Sequence, residues 1–216
     1  VEGYYKTMSN LIEYKEGAGF FQLAQNWESK LEIGEGYAYG AEVLLRKNYG
    51  KLSGWLGYTL SWSWRKFKNI NFGEPFPYKY DRRHDISLVL MYEFNEKVDM
   101  GLTWVYGSGN AVTLGVARYN SLNLDYYNPG EYYYGEIEYF KGRNGYRMPA
   151  YHRLDLSINL KKKTKWGSRT WSFGLYNAYS RQNPFYLYFG YDNNKRVLKQ
   201  VSLFPIIPSV RYALKT

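Results

Sequence analysis

The chain has only two histidines among its 216 residues, and each stands beside groups that acid–base or nucleophilic chemistry would use. His84 lies in Arg82-Arg83-His84-Asp85-Ile86-Ser87-Leu88, where Asp81 and Asp85 could share a proton with the ring. His152 lies in Tyr151-His152-Arg153-Leu154-Asp155-Leu156-Ser157, where a histidine and a serine suggest a base and a nucleophile. Spacing argues against the second pair. If the segment is a strand, His152 and Ser157 face opposite sides and stand about 16 Å apart, at about 3.3 Å per residue. There is no phosphate-cradling glycine loop, no cysteine, and no His/Asp/Glu cluster with metal spacing. The expectation is therefore a protein that is not an enzyme, with no catalytic residue, metal or cofactor.

The elements that must position these residues are strands. From Leu52 to Lys66 one parity holds Leu56, Tyr58, Leu60, Trp62 and Trp64, and the other holds Gly57, Thr59, Ser61, Ser63 and Arg65. That is the period of a strand with one apolar and one polar face. An apolar face with Trp and Tyr at its edge suits a hydrocarbon slab between wet interfaces, and a small polar face suits a water-filled lumen. The same alternation marks strands at about 2–14, 30–46, 52–66, 83–94, 98–107, 151–162 and 169–189, with an eighth ending at Thr216. Short turns (47–51, 95–97, 163–168) alternate with long connections. The predicted class is all-β, a transmembrane antiparallel barrel wall with short periplasmic turns and long extracellular loops.

Parity assigns the candidate residues to faces. Glu42, Arg65, Arg83, Asp85, Arg153, Asp155 and Asn159 are expected to line the lumen, and Trp62, Trp64, Trp104, Tyr106, His84 and His152 to sit at the membrane interface. Composition agrees. Aromatics make up 20% of the chain, including 26 Tyr, a density typical of interfaces. No run approaches the ~18 consecutive apolar residues of a membrane helix, and a mean hydropathy of −0.57 does not count against a barrel whose alternate residues face water. The net charge of +10 sits largely at predicted turns and strand ends (Arg46, Lys47, Lys51, Lys161, Lys162, Lys163), as a solvated rim would have it. Tyr78-Lys79-Tyr80-Asp81-Arg82-Arg83 is the nearest approach to a nucleic-acid surface, but it lies in a Pro-rich loop beside a strand, and no nucleic-acid partner is expected. Val1 to Tyr5 reads neither as a basic nor as an apolar leader, so the chain is expected to be mature or truncated.

The longest connection, about 108–150, is rich in tyrosine, asparagine and glutamate. Tyr126, Tyr127, Tyr132, Tyr133 and Tyr134, with Glu131, Glu136 and Glu138, could stack on and hydrogen-bond a polar ligand such as a sugar, or could simply pack the loop.

Three segments carry a family likeness: Pro149-Ala150-Tyr151-His152-Arg153-Leu154-Asp155-Leu156-Ser157, Leu175-Tyr176-Asn177-Ala178-Tyr179-Ser180-Arg181-Gln182-Asn183-Pro184-Phe185, and Leu203-Phe204-Pro205-Ile206-Ile207-Pro208-Ser209-Val210. With Gly36-Tyr37-Ala38-Tyr39-Gly40-Ala41-Glu42 and Phe76-Pro77-Tyr78-Lys79-Tyr80-Asp81-Arg82-Arg83-His84-Asp85 they resemble the C-terminal barrel of TonB-dependent outer-membrane receptors of the Bacteroidota type. The resemblance implies a barrel of about 22 strands, of which residues 1–216 would supply the C-terminal portion without the plug domain. It further implies a bacterial outer-membrane location and TonB-energised import of a nutrient such as an oligosaccharide or siderophore. The implied partners are outer-membrane lipid and lipopolysaccharide, the rest of the barrel and the plug, and the TonB complex reached through that missing part, with room for a surface lipoprotein. The family usually ends on an aromatic, and Thr216 departs from that.

Two alternatives make different demands. A free-standing eight-stranded barrel with a structural or adhesive role requires its first and last strands to pair with each other. An outer-membrane barrel hydrolase requires a histidine ring within reach of a serine or carboxylate on one face.

Overall fold

The computed structural model describes residues 1–15, 27–124, 132–165 and 167–215, with 120–124 and 132–136 described by their backbone. Fifteen strands and two short 3-10 turns account for the regular structure of these residues. In chain order the strands are β1 Glu2–Tyr14, β2 Leu31–Lys47, β3 Leu52–Lys66, β4 Phe76–Pro77 and β5 His84–Asn95. They continue with β6 Val98–Gly107, β7 Ala111–Val112, β8 Gly115–Leu124, β9 Tyr132–Phe140 and β10 Tyr146–Arg147. The last five are β11 Tyr151–Thr164, β12 Gly167–Tyr176, β13 Pro184–Asp192, β14 Lys195–Ser202 and β15 Ile207–Lys215.

Eight of them form one antiparallel sheet in the order β1-β2-β3-β5-β6-β11-β12-β15, with β4 added to β3. Taken in chain order, the strands of this sheet each pair with the next one of the sheet, so it is an up-and-down meander, with the β8–β9 and β13–β14 hairpins inserted between its strands. Its β2–β3, β5–β6 and β11–β12 connections are tight turns at one end. Asn95 closes one of them by accepting from the backbone N–H groups of Lys97 and Val98. Gly50, at φ 80°, supplies the left-handed residue of another. The other four connections are long, lie at the opposite end, and carry three small sheets: β8–β9, β13–β14 and β7–β10. Among the described residues β1 and β15 are not paired with each other, so the meander is open at two edges.

Cross-strand partners share a face, and the register sorts the sequence as its alternation requires. Glu42, Thr59, Asp85 and Gly107 lie in one row, Ser87, Val105 and Arg153 in the next, and Asn159 opposes Asp99 further down. The other face has Tyr39 against Trp62, Ile86 against Tyr106, His152 against Tyr106, and Leu156 between Leu102 and Leu175. This apolar face is not covered by another layer of the described chain. Leu160, Trp171, Phe173, Val210, Tyr212 and Leu214 are all exposed. The buried hydrophobic residues are instead Phe67, Ile70, Phe76 and Ala111, every one of them in or beside the long connections. Gly34 makes room for that small core, since a Cβ there would come within 2.4 Å of the Phe67 ring. The consequence is a large surface. A compact protein of this mass exposes about 10,400 Å², whereas this chain exposes 15980 Å².

One boundary departs from the alternation. The strand expected over 169–189 ends at Tyr176, and residues 184–202 fold as a separate hairpin. Asn177 and Ser180, both at φ 52°, turn the chain out of the sheet between the two. The tyrosine-rich connection likewise contains a hairpin, β8–β9, where a loop is expected.

Candidate functional site

The rim that carries the long connections holds nearly all the side-chain chemistry. At its centre, Asp81 is 2% exposed and receives donors from three elements. Its Oδ1 accepts from the backbone N–H of Ser63 at 2.6 Å, and its Oδ2 accepts from Arg83 at 3.3 Å and from Arg147. Arg147 also donates to the Asp81 carbonyl, so this guanidinium ties β10 to the segment before β5. One carboxylate thus faces two guanidiniums. Burial pushes the Arg83 guanidinium below its ordinary value, Asp81 opposes that shift, and Arg147 adds to it. Arg82 bonds Asn110 at 3.1 Å and pairs with Asp85 at 3.4 Å.

A second cluster is built by Asn177, also buried. Its Nδ2 donates to the carbonyls of Arg181 and Phe204, and its Oδ1 accepts from the Arg181 N–H. Its own N–H donates to Asp155 Oδ1, and Asp155 Oδ2 takes the Arg153 guanidinium. Arg153 in turn donates to the hydroxyls of Tyr151 and Tyr176 and stacks over the Tyr176 ring, its Cζ 4.1 Å from the centroid. Asn183 grips the backbone of His152 with both ends of its amide. The turn after β12 is fastened to the start of β11 by side chains.

Both histidines lie on the aromatic face, and both meet a tyrosine. His84 Nδ1 is 2.9 Å from Tyr58 Oη with the rings stacked, and His152 Nδ1 is 2.7 Å from Tyr179 Oη beside the Tyr106 ring. Burial pushes the Tyr179 phenol up, opposed by a hydrogen bond with Trp104. Among the described residues neither imidazole reaches a serine hydroxyl or a carboxylate, so the hydrolase geometry is not assembled at either one. Nor do the described residues hold a His/Asp/Glu group that could chelate a metal.

The remaining candidates are placed as follows. Trp62 and Trp64 stack on Tyr39 and Tyr37, and Trp104 stacks on Tyr106. Glu42, Asp85, Arg153, Asp155 and Asn159 share the polar face, Asn159 donating to Asp99 at 2.6 Å. Arg65 lies over the Tyr78 ring at 4.1 Å. Arg83 is displaced from the expected polar row. Its guanidinium sits 4.6 Å from the Trp62 ring centroid, because the strand does not begin until His84 and parity does not govern the residue before it. Tyr126, Tyr127 and Glu131 lie outside the described residues. The backbones of Tyr132, Tyr133 and Tyr134 belong to β9, paired with Leu124, Asn123 and Leu122.

The outer hairpins meet at Glu138. Its Oε1 accepts from Arg118 at 2.8 and 3.0 Å, within the β8–β9 hairpin, and from Arg196 of β14 at 2.7 Å. Those bonds, Arg118 first, hold its carboxyl below the usual range. Two clefts flank it, of about 560 and 330 Å³. Nothing periodic in the sequence singles out Glu138 or its neighbour across the larger cleft, Phe72; the 98% exposure of that phenylalanine is the signal, and it is structural. Compared with family models, with curated proteins and with solved structures, the chain matches none.

Proposed function

We propose that this chain is part of the wall and outer rim of an outer-membrane β-barrel that imports a nutrient, and that the importer is TonB-dependent. The observation that carries the membrane part is the exposed apolar face of the meander, banded by aromatics and backed by a polar face. Ten residues separate Trp62 from Leu52, the partner of Tyr92, which stacks edge-on with Phe94. At about 3.3 Å per residue that is roughly 33 Å along the strand, or about 25 Å upright at a tilt near 40°, the height of a hydrocarbon band between aromatic girdles. Leu56, Leu60, Leu88 and Leu90 fill the interval. In water such a face is an aggregation surface; in lipid it is a wall. The open edges at β1 and β15 favour a wall that continues into further strands over a free-standing eight-stranded barrel, because an unpaired edge in hydrocarbon leaves its N–H and C=O groups without partners. The TonB-dependent part rests on the sequence resemblance around Tyr151–Ser157, Leu175–Phe185 and Leu203–Val210.

Tryptophan quenching tests the wall. Trp62 belongs to the apolar face, and Trp55, of opposite parity on the same strand, to the polar one. In the full-length protein reconstituted in vesicles, brominated lipid should quench a sole tryptophan at 62 and leave one at 55 to a water-soluble quencher. The reverse pattern, or no lipid quenching at either, overturns the wall. Loss of energy-coupled uptake when the chain is deleted, restored by re-expression, is the matching expectation for transport.

A further inference from the structure

The β11–β12 turn carries a pair of like charges on the apolar face. Lys162 and Arg169 are cross-strand partners, two residues beyond the Leu160–Trp171 pair, so both share the parity of the apolar residues. Such partners stand about 5 Å apart at Cβ, and like charges so placed repel. The turn's other strand cations have polar parity and are matched, Lys161 lying 2.6 Å from Asp99 and Lys163 3.5 Å from Glu96. Among the described residues no carboxylate reaches Lys162 or Arg169. Their row continues into Leu214, the partner of Arg169 on β15, and brings no acid either. Two cations are left without counter-charge at the border of an apolar surface.

Toward the middle of the wall the rows turn apolar. Leu160, Trp171 and Tyr212 come first, the two rings 4.8 Å apart, and Ile158, Phe173 and Val210 follow. The surface is not smooth there. A groove of about 440 Å³ crosses it, walled by those last three side chains with Met100, Leu156 and Leu175. Six residues separate Lys162 from Leu156, which is about 20 Å along the strand at 3.3 Å per residue, or about 15 Å upright at a tilt near 40°. That is half of a ~30 Å hydrocarbon core, the depth of one leaflet. The two cations therefore stand at headgroup height, with Trp171 and Tyr212 at the interface and the groove running inward as far as an acyl chain reaches.

We propose that this corner of the wall binds one anionic phospholipid, its phosphate held between Lys162 and Arg169 and an acyl chain lying in the groove. Charge decides the class. A phosphodiester meets an ammonium as a point charge and a guanidinium as a bidentate fork, and it removes the repulsion between the two cations. A zwitterionic lipid brings an ammonium to the same place, and a water-soluble anion leaves the groove empty. Because the pair lies at the tight-turn end, the lipid belongs to the leaflet opposite the long connections. The site rests on the wall reading, whose own test at Trp62 is separate from this one.

The test is native mass spectrometry of the full-length protein in detergent, titrated with phosphatidylglycerol and with phosphatidylethanolamine of the same acyl chains. Phosphatidylglycerol should bind about tenfold or more tighter, each basic residue beside an anionic headgroup contributing about fivefold. Lys162→Gln combined with Arg169→Gln should remove that preference. Lys163→Gln, which deletes a charge at the same turn on the polar face, should stay within about threefold of wild type. Relief of the like-charge pair means that the double variant should melt no lower than wild type when anionic lipid is absent, which separates loss of the site from misfolding. Equal binding of the two lipids by the wild-type protein overturns the proposal, as does a comparable loss in Lys163→Gln, displacement of the lipid by excess inorganic phosphate, or a lower melting temperature of the lipid-free double variant. Quenching of Trp62 by brominated lipid without a preference for phosphatidylglycerol refutes this site and leaves the wall, whereas absence of that quenching refutes the wall itself.

Discussion

Asn177 is the residue whose removal the structure makes most costly for its size. Its amide satisfies three backbone groups, at 2.9 Å to the Arg181 carbonyl, 3.1 Å to the Phe204 carbonyl and 3.1 Å from the Arg181 N–H. The side chain is 1% exposed, so water cannot replace it. At about 0.5–1.5 kcal/mol for each bond, deletion costs about 2–4 kcal/mol. Asparagine also tolerates φ 52°, where alanine loses about a further 1 kcal/mol. Asn177→Ala should therefore destabilise the 177–206 connection by about 3–5 kcal/mol, and Asn177→Gly, which keeps the backbone and loses only the bonds, by about 1 kcal/mol less. Asn177→Asp puts a carboxylate against two carbonyl oxygens and should be no better than alanine. Amide hydrogen exchange at Arg181 and through β13–β14 reads these losses as rates, each 1.4 kcal/mol being about tenfold. Exchange in Asn177→Ala within about threefold of wild type would show that the amide does not fasten the turn. Full recovery in Asn177→Gly would show that conformation, and not hydrogen bonding, is what asparagine supplies.

Asp81→Asn keeps the Ser63 bond but leaves Arg83 and Arg147 without their shared counter-charge. About 3–5 kcal/mol of local stability should be lost, seen as faster exchange in β4 and β10, and unchanged protection there would contradict the arrangement. Glu138 gives a pH signature. Its folded-state value is depressed by Arg118 and Arg196, so its stabilisation is fully present above the ordinary 4.5 and lost only as pH falls through the depressed value. Protection linking β8–β9 to β13–β14 should stay level from neutral pH down to that ordinary value and fall below it. Glu138→Gln should lower protection at neutral pH and flatten the profile, and a profile that breaks near neutrality would assign the link to another group.

The wall was legible and the rim was not, for a physical reason. Where one face meets an apolar medium and the other water, every second residue is constrained, and the alternation in Leu52–Lys66 and Val98–Gly107 fixes both ends of β3 and β6. The face of each histidine follows from the same count. The long connections obey no such period. Residues 184–189 are expected to extend the strand that begins at Arg169, yet they belong to a hairpin beyond it, since the unbroken apolar run Phe185–Phe189 suits a strand without telling a strand of the sheet from one in its loops. Arg83 shows the other failure: one residue before the strand, a long side chain goes where charge and a tryptophan ring draw it. Phe72 needed coordinates, as did the pairing of Glu138 with Arg118 and Arg196, because a cleft between two connections has no spacing in the sequence.

The distribution of burial implies that wall and rim draw stability from different sources. The main sheet has its backbone ladders but no covering layer, so its apolar face contributes stabilisation only when an apolar medium takes it up. The rim has Phe67, Ile70 and Phe76 buried together, Asp81 and Asn177 saturated with bonds, and Glu138 clasping two hairpins. Apart from Arg83, whose guanidinium also lies over Trp62, these contacts do not involve the exposed face, and each works in water. A rim held in this way keeps its shape whatever medium meets the exposed face of the sheet. Arg83 is where the two meet, one nitrogen on Asp81 and its plane over Trp62, so loosening of the aromatic girdle should be felt at the Asp81 cluster before it reaches the outer hairpins.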